Sequence, residues 1–203
     1  TGTLLIDYLL PGKNLYLIGT GTGLAPWLSI VRDPDTYERF EKVVVVHGVR
    51  EVNELAYQDL FEKELPNHEL LGDIVRDKLI YYPTVTREPF RNQGRITDLI
   101  ENGTFPANIG LPPLDPLTDR VMLCGSPAML ADLKVMLEKR DFEEGNTSTP
   151  GDFVVERAFV ETITHSYLYK DDDNYVFMNP ENYEQIQVPA DMLGDSAPFL
   201  QEG

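Results

Sequence analysis

Two runs with no polar alternation, Leu15-Tyr-Leu-Ile18 and Lys42-Val-Val-Val-Val-His-Gly48, constrain this chain most. An apolar run without period-two alternation reads as a strand covered on both faces, which is the condition of strands in a parallel sheet. Three further strands follow from Lys78 to Thr86, from Asp119 to Gly125 and from Phe153 to Val160. Pro83 lacks an N–H for one side of a ladder, so the third strand belongs at an edge or at a bend. Between the strands the spacing turns helical. Leu24, Leu28 and Val31 share one face, and Met129, Leu133, Met136 and Leu137 share another, with Leu130 beside them. Asn53 is placed to cap a helix carrying Ala56, Leu60, Phe61 and Leu65 and ending at Pro66. Ile96 to Glu101 is a short helix stopped by Asn102-Gly103. Asp33 to Phe40 reads as a polar loop with a helical turn, and Phe105 to Pro116 as a loop rich in proline and glycine. The fold class is therefore α/β: an open, doubly wound, mostly parallel five-stranded sheet.

In such a sheet ligands lie beyond the carboxyl ends of the strands. The groups that follow strands here are Gly19 to Gly23, His47 to Arg50, Thr86-Arg87 and Cys124-Gly125, so one sheet brings them to one rim. The first of these is the most informative. Gly19-Thr-Gly-Thr-Gly23 joins a strand to the start of a helix, which offers backbone N–H groups and a positive helix end to a phosphate. Leu24 stands where the third glycine of G-x-G-x-x-G belongs, and no Gly-Lys-Ser/Thr follows, so neither common phosphate fingerprint is met. Spacing alone leaves two readings: a phosphate-binding turn, or a tight strand-to-helix junction without a ligand.

A net charge of −17 and a pI near 4.4 argue against nucleic acid or an anionic membrane surface as the principal partner. An anionic cofactor would then need a local group of arginines, and Arg50, Arg87 and Arg95 all follow strand ends. The lone cysteine, Cys124, excludes an intrachain disulfide and a cysteine zinc site. His47, His68 and His165 are scattered, which does not point to a metal. With no signal segment or long apolar run, the expectation is a cytoplasmic protein.

Beyond residue 161 the texture changes. Tyr167-Leu-Tyr169, Tyr175-Val-Phe-Met178 and Tyr183 to Val188 are short β segments separated by turn signals, with helical turns expected at Ala190 to Leu193 and Pro198 to Leu200. One lysine stands against eight carboxylates in 162–203, so its tyrosines and phenylalanines read as core and not as a base-stacking surface. The expected division is an α/β domain over 1–161 and a β meander over 162–203, linked by a long or bent strand over about 153–169.

Taken together, Gly19-Thr-Gly-Thr-Gly-Leu-Ala-Pro26, His47-Gly-Val-Arg50, Thr86-Arg-Glu88, Gly94-Arg95, Cys124-Gly-Ser-Pro127 and Val155-Glu-Arg-Ala-Phe-Val-Glu161 closely resemble the bacterial ferredoxin–NADP reductases. The resemblance covers residues 1 to about 161, that family's NADP(H)-binding domain. It implies that Gly19, Thr20, Gly21, Thr22, Gly23, Leu24 and Pro26 border the pyrophosphate and nicotinamide. It likewise implies that Arg50, Arg87 and Arg95 hold the adenosine end with its 2′-phosphate. Cys124, with Gly125, would lie by the nicotinamide; Cys124 and Glu156 take the catalytic positions, and Ala158 and Phe159 would face the flavin. Read from its own surroundings, Cys124 is equally a small buried hydrophobe. The implied cofactors are NADP(H) and FAD, and the implied partners ferredoxin or flavodoxin. In that family FAD is held by an antiparallel barrel with an Arg-x-Tyr-Ser-type motif, for which this sequence has no counterpart. The expectation is thus nucleotide binding without turnover by the chain alone, and an incomplete docking surface.

The stretch Tyr167-Leu-Tyr-Lys-Asp-Asp-Asp-Asn-Tyr-Val-Phe-Met-Asn-Pro-Glu-Asn-Tyr-Glu-Gln-Ile186 resembles the middle OB-type domain of bacterial elongation factor P. Residues 155–161 fit both families. The resemblances together imply a chimera whose crossover lies within that shared heptad, or a fusion built to overlap there. The alternative to nucleotide binding is an engineered structural chimera that retains no activity. Its truncated OB segment leaves edges open to strand exchange with a second copy. The functional lysine loop of the translation factor has no counterpart, so a ribosomal role is not expected.

Overall fold

The computed structural model describes residues 5–157, 166–171, 174–178 and 185–189, and the chain divides into two units, Thr1–Ala158 and Phe159–Gly203. In the first unit, β1 (Asn14–Thr20), β2 (Lys42–Val49), β3 (Leu79–Val85), β4 (Asp119–Gly125) and β5 (Phe153–Arg157) form one sheet in the order β3-β2-β1-β4-β5. Every pairing is parallel. The order reverses between β1 and β4, and sheets of this kind take their ligands beyond the carboxyl ends of the strands at such a switch point.

Period-two geometry splits each buried strand between two cores. Leu15, Leu17, Val43, Val45 and Met122 pack with Trp27, Val31, Tyr37 and Phe61 on one face, and Tyr16, Ile18, Val44, Val46, Val121 and Leu123 pack with Leu99, Phe105, Leu133 and Leu137 on the other. The first face is covered by α1 (Ala25–Ile30), α2 (Pro34–Arg39) and α3 (Gly72–Lys78). The second is covered by α4 (Ile96–Glu101), α5 (Thr104–Ile109) and α6 (Pro127–Glu138). Pro83 sits in β3, at the sheet edge, as its missing N–H requires.

Several expectations fail for local reasons. Asn53 caps nothing: Glu51 takes the cap position of a 3₁₀ turn, Val52–Glu54, because the Glu54 side chain folds back onto backbone N–H groups. Residues 56–66 form no single helix; Leu60–Glu64 is one turn of π-helix followed by a 3₁₀ turn, Leu65–Asn67. The Phe105 to Pro116 loop begins as α5, where Pro106 occupies the first turn and its missing N–H costs nothing. Gly110, at φ +69°, ends that helix in the left-handed conformation. Asp33 caps α2, which is a full helix and not a turn within a loop, and α3 had no expectation at all.

At the opposite end of the sheet Arg120 ties the leading segment down. Its guanidinium donates to the carbonyls of Leu10 at 3.1 Å, Pro11 at 2.5 Å and Pro116 at 2.8 Å, and pairs with Asp152 at 3.3 Å. Both charged side chains are buried.

In the second unit β6 (Ser166–Asp171), β7 (Asn174–Met178) and β8 (Gln185–Pro189) make an antiparallel sheet in the order β6-β7-β8. Tyr167 packs against Tyr175 and Phe177 with ring centroids 5.8 and 5.7 Å away. These strands match the β segments read from the sequence. The expected linking strand beyond Arg157, the helical turns at 190–193 and 198–200, and the flavin-facing Ala158 and Phe159 lie outside the described residues.

Candidate functional site

The parallel register places five residues in a row across the carboxyl ends of the strands. Gly19 of β1 is flanked by His47 of β2 and Cys124 of β4; His47 is in turn beside Pro83, and Cys124 beside Glu156. The sequence motifs that follow separate strands therefore do converge on one rim.

Close packing holds the glycine turn against that rim. A Cβ on Gly23 would lie 2.5 Å from the Cys124 carbonyl oxygen, and one on Gly19 would lie 2.8 Å from Trp27 Nε1 and 3.0 Å from the Gly23 carbonyl oxygen. Thr20 Oγ1 accepts a hydrogen bond from the Ser126 N–H at 3.1 Å, joining the end of β1 to the start of α6. Gly21, at φ +54°, turns its backbone outward with nothing within 4 Å of where a side chain would begin. Leu24 is buried beneath the turn and Pro26 stands in the first turn of α1. So two glycines are needed for packing, while the open side at Gly21 leaves room for a ligand to meet the backbone.

The loops that carry the three arginines follow β2 and β3, at the outer corner of the rim. The Arg87 N–H donates to the Arg50 carbonyl at 2.9 Å and the Thr86 N–H to the Val49 carbonyl at 3.1 Å, so the loops after β2 and β3 run side by side. Arg95 stands just before α4, in a segment pinned where Gly94 N–H donates to the Val85 carbonyl at 2.9 Å and Thr84 Oγ1 donates to the Gly94 carbonyl at 2.7 Å. All three arginines are exposed, and none makes an ion pair among the described residues. Arg50 and Arg87 are thus neighbours through their backbones, and both act electrostatically on the Glu54 carboxylate.

Two buried groups behind the rim are electrically silent at neutral pH. Burial pushes the His47 pKa down to about 4, against an opposing pull from the Glu54 carboxylate, so the imidazole is neutral; its Nδ1 lies 3.1 Å from the Tyr81 hydroxyl. Burial, reinforced by the negative charge of Glu156, pushes the Cys124 thiol up to about 11. Cys124 is thus a protonated thiol, the wrong form for a nucleophile. Sequence reading did not single out Trp27, which closes over Gly19, or Glu54 beside the arginines. Trp27 was detectable as the chain's lone tryptophan, one turn after the glycines, and Glu54 as a carboxylate four residues after Arg50. Among the described residues no group of His, Cys, Asp or Glu could hold a metal ion, and no helix is long and apolar enough to cross a membrane.

A parallel sheet whose first strand ends in a glycine turn at the point of order reversal defines a nucleotide-binding α/β domain. Residues 17–134 match the Oxidoreductase NAD-binding domain family, and the chain belongs to it. Residues 160–203 match the elongation factor P OB domain. Among curated relatives, the chain is 59% identical over 162 residues to a ferredoxin–NADP reductase of Pseudomonas aeruginosa, covering 79% of this chain and 63% of that protein. It is 60% identical over 159 residues to ferredoxin–NADP reductase A of Sorangium cellulosum, covering 78% of this chain and 57% of that one. The chain thus spans less than two thirds of the length of these relatives. Elongation factor P of Methylorubrum extorquens is 48% identical over 79 residues, 39% of this chain and 40% of that protein. Shares of 79% and 39% cannot fit in one chain without overlapping, so the likenesses share more than residues 155–161. A solved structure of a ferredoxin NADP+ reductase from Neisseria gonorrhoeae with bound FAD and NADP superposes with a TM-score of 0.67 at 29% identity, over 78% of this chain and 61% of that one. The chain therefore joins a reductase-type NADP-binding domain to an elongation factor P-type OB segment.

Proposed function

We propose that the first unit binds NADP(H), with Gly19, Thr20, Gly21, Thr22, Gly23 and Pro26 along the pyrophosphate and nicotinamide and the fully buried Leu24 supporting the turn from beneath. Arg50, Arg87 and Arg95 take the 2′-phosphate, and Cys124, Gly125 and Glu156 stand at the nicotinamide end. The observation that carries this reading is the pairing of two features on one rim: a glycine turn with an open backbone at Gly21, and exposed, unpaired guanidiniums at the outer corner. Bound NADPH would supply a hydride; the residues here bind and orient it. Trp27 and Leu24 keep the turn dry from below, and the thiol of Cys124 contributes shape and not charge. A flavin held by a neighbouring domain would accept that hydride and pass the electrons singly to ferredoxin or flavodoxin.

Calorimetry with 2′-phospho-AMP against 5′-AMP tests the proposal. Charge-assisted hydrogen bonds from the arginines should favour the 2′-phosphorylated nucleotide by about tenfold or more. Equal binding of the two, or no binding of either, refutes it.

A further inference from the structure

Resting on that reading of the arginine corner, we infer that Glu54 is a positioning residue that presents Arg50 and Arg87 to the 2′-phosphate. Three successive backbone N–H groups after β2 are each met by a carboxylate. Glu54 Oε2 accepts from the Arg50 N–H at 2.7 Å and the Glu51 N–H at 3.0 Å, and Glu88 Oε1 accepts from the Val52 N–H at 2.5 Å. The Glu51 side chain completes a reciprocal capping box by accepting from the Glu54 N–H. With the Arg87 N–H bound to the Arg50 carbonyl, the two arginine-bearing loops are clasped to each other. The clasp is also electrostatic. The hydrogen bonds from Glu51 and Arg50 and then the charges of Arg50 and Arg87 hold Glu54 ionised below the ordinary carboxylate range.

A carboxylate beside a phosphate site acts in two opposed ways. Its charge repels the arriving phosphate, while its hydrogen bonds keep the loop in shape and its field lets two like-charged guanidiniums stand together. Glu54→Gln and Glu54→Ala separate the two, since glutamine keeps an acceptor for the Arg50 and Glu51 N–H groups and alanine keeps neither.

The experiment measures 2′-phospho-AMP and 5′-AMP binding to the full chain and both variants, with amide hydrogen exchange at Arg50 and Glu51. The expected result is a split in sign. Glu54→Gln tightens 2′-phospho-AMP about two- to fivefold by removing a screened surface charge. Glu54→Ala weakens it about three- to tenfold although it removes the same charge, exchange at Arg50 and Glu51 accelerates in that variant only, and 5′-AMP affinity stays level in both. Tightening by both variants means that Glu54 acts through charge alone and overturns the inference. Unaltered exchange in Glu54→Ala overturns it too, independently of any nucleotide. Failure of the wild-type chain to prefer 2′-phospho-AMP is a different result: it removes the NADP(H) reading, whatever the exchange data say of the clasp.

Discussion

His47 makes the stability of the first unit depend on pH in a calculable way. Its imidazole is fully buried, with the Tyr81 hydroxyl and the Glu54 carboxylate as the titratable groups that act on it, and its pKa falls from 6.5 to about 4 because burial penalises the cation. A folded-state pKa below the unfolded value means that the unfolded chain binds the proton more readily. The stabilising contribution is therefore complete above pH 6.5 and is lost as pH falls towards 4. Near pH 5 an unfolded His47 is almost wholly protonated while the folded one is almost wholly neutral, a difference of about 2 kcal/mol in favour of unfolding. Carboxylates also titrate in this range, so the diagnostic quantity is a double difference. Urea denaturation of the wild type and His47→Gln, each at about pH 7.5 and about pH 5, removes every common contribution. Trp27, the only tryptophan, lies in the first unit, so its fluorescence follows that unit. Glutamine loses the ring's packing at both pH values alike, but relative to the wild type it should gain about 2 kcal/mol on acidification. Parallel stability profiles for the two proteins would refute the reasoning, since they would mean that His47 titrates no differently folded than unfolded.

Two further substitutions test the packing. Gly23→Ala places a methyl group 2.5 Å from the Cys124 carbonyl oxygen, against backbone that cannot step aside, and should cost about 1–3 kcal/mol in urea denaturation along with most nucleotide affinity in the calorimeter. Arg120→Met leaves Asp152 buried without its cation and should cost about 3–5 kcal/mol by the same fluorescence-detected unfolding; a loss under about 1 kcal/mol would show that the Arg120–Asp152 pair is not needed.

Where apolar character was continuous, sequence and structure agree closely: β4 runs over the same seven residues, Asp119–Gly125, that the sequence marks, and β3 lies at the edge as Pro83 demanded. The periodicity of α6 likewise announced Leu133, Met136 and Leu137 as core; Leu130, read as lying beside that face, is buried too, while Met129 is only partly buried. The failures lie where one side chain outweighs local propensity. Asn53 is a good cap by type, yet the Glu54 carboxylate reaches back to Arg50 and Glu51 and turns the chain into a 3₁₀ capping box. Pro106 and Gly110 read as loop punctuation, yet they stand at the first turn and the end of a helix, positions at which each is favoured.

The site divides in the same manner. Which residues follow a strand end, and that Gly19 to Gly23 opens a helix, were determined by the sequence, because burial and turn chemistry are local. That Gly19 lies between His47 and Cys124, that Gly23 rests on the Cys124 carbonyl, and that Arg50 and Arg87 share a backbone hydrogen bond were decided only by the tertiary structure. The reason is physical. Period two fixes which side chains share a face within one strand, but neighbours across strands depend on register, and a slip of one residue would turn every one of them to the other face.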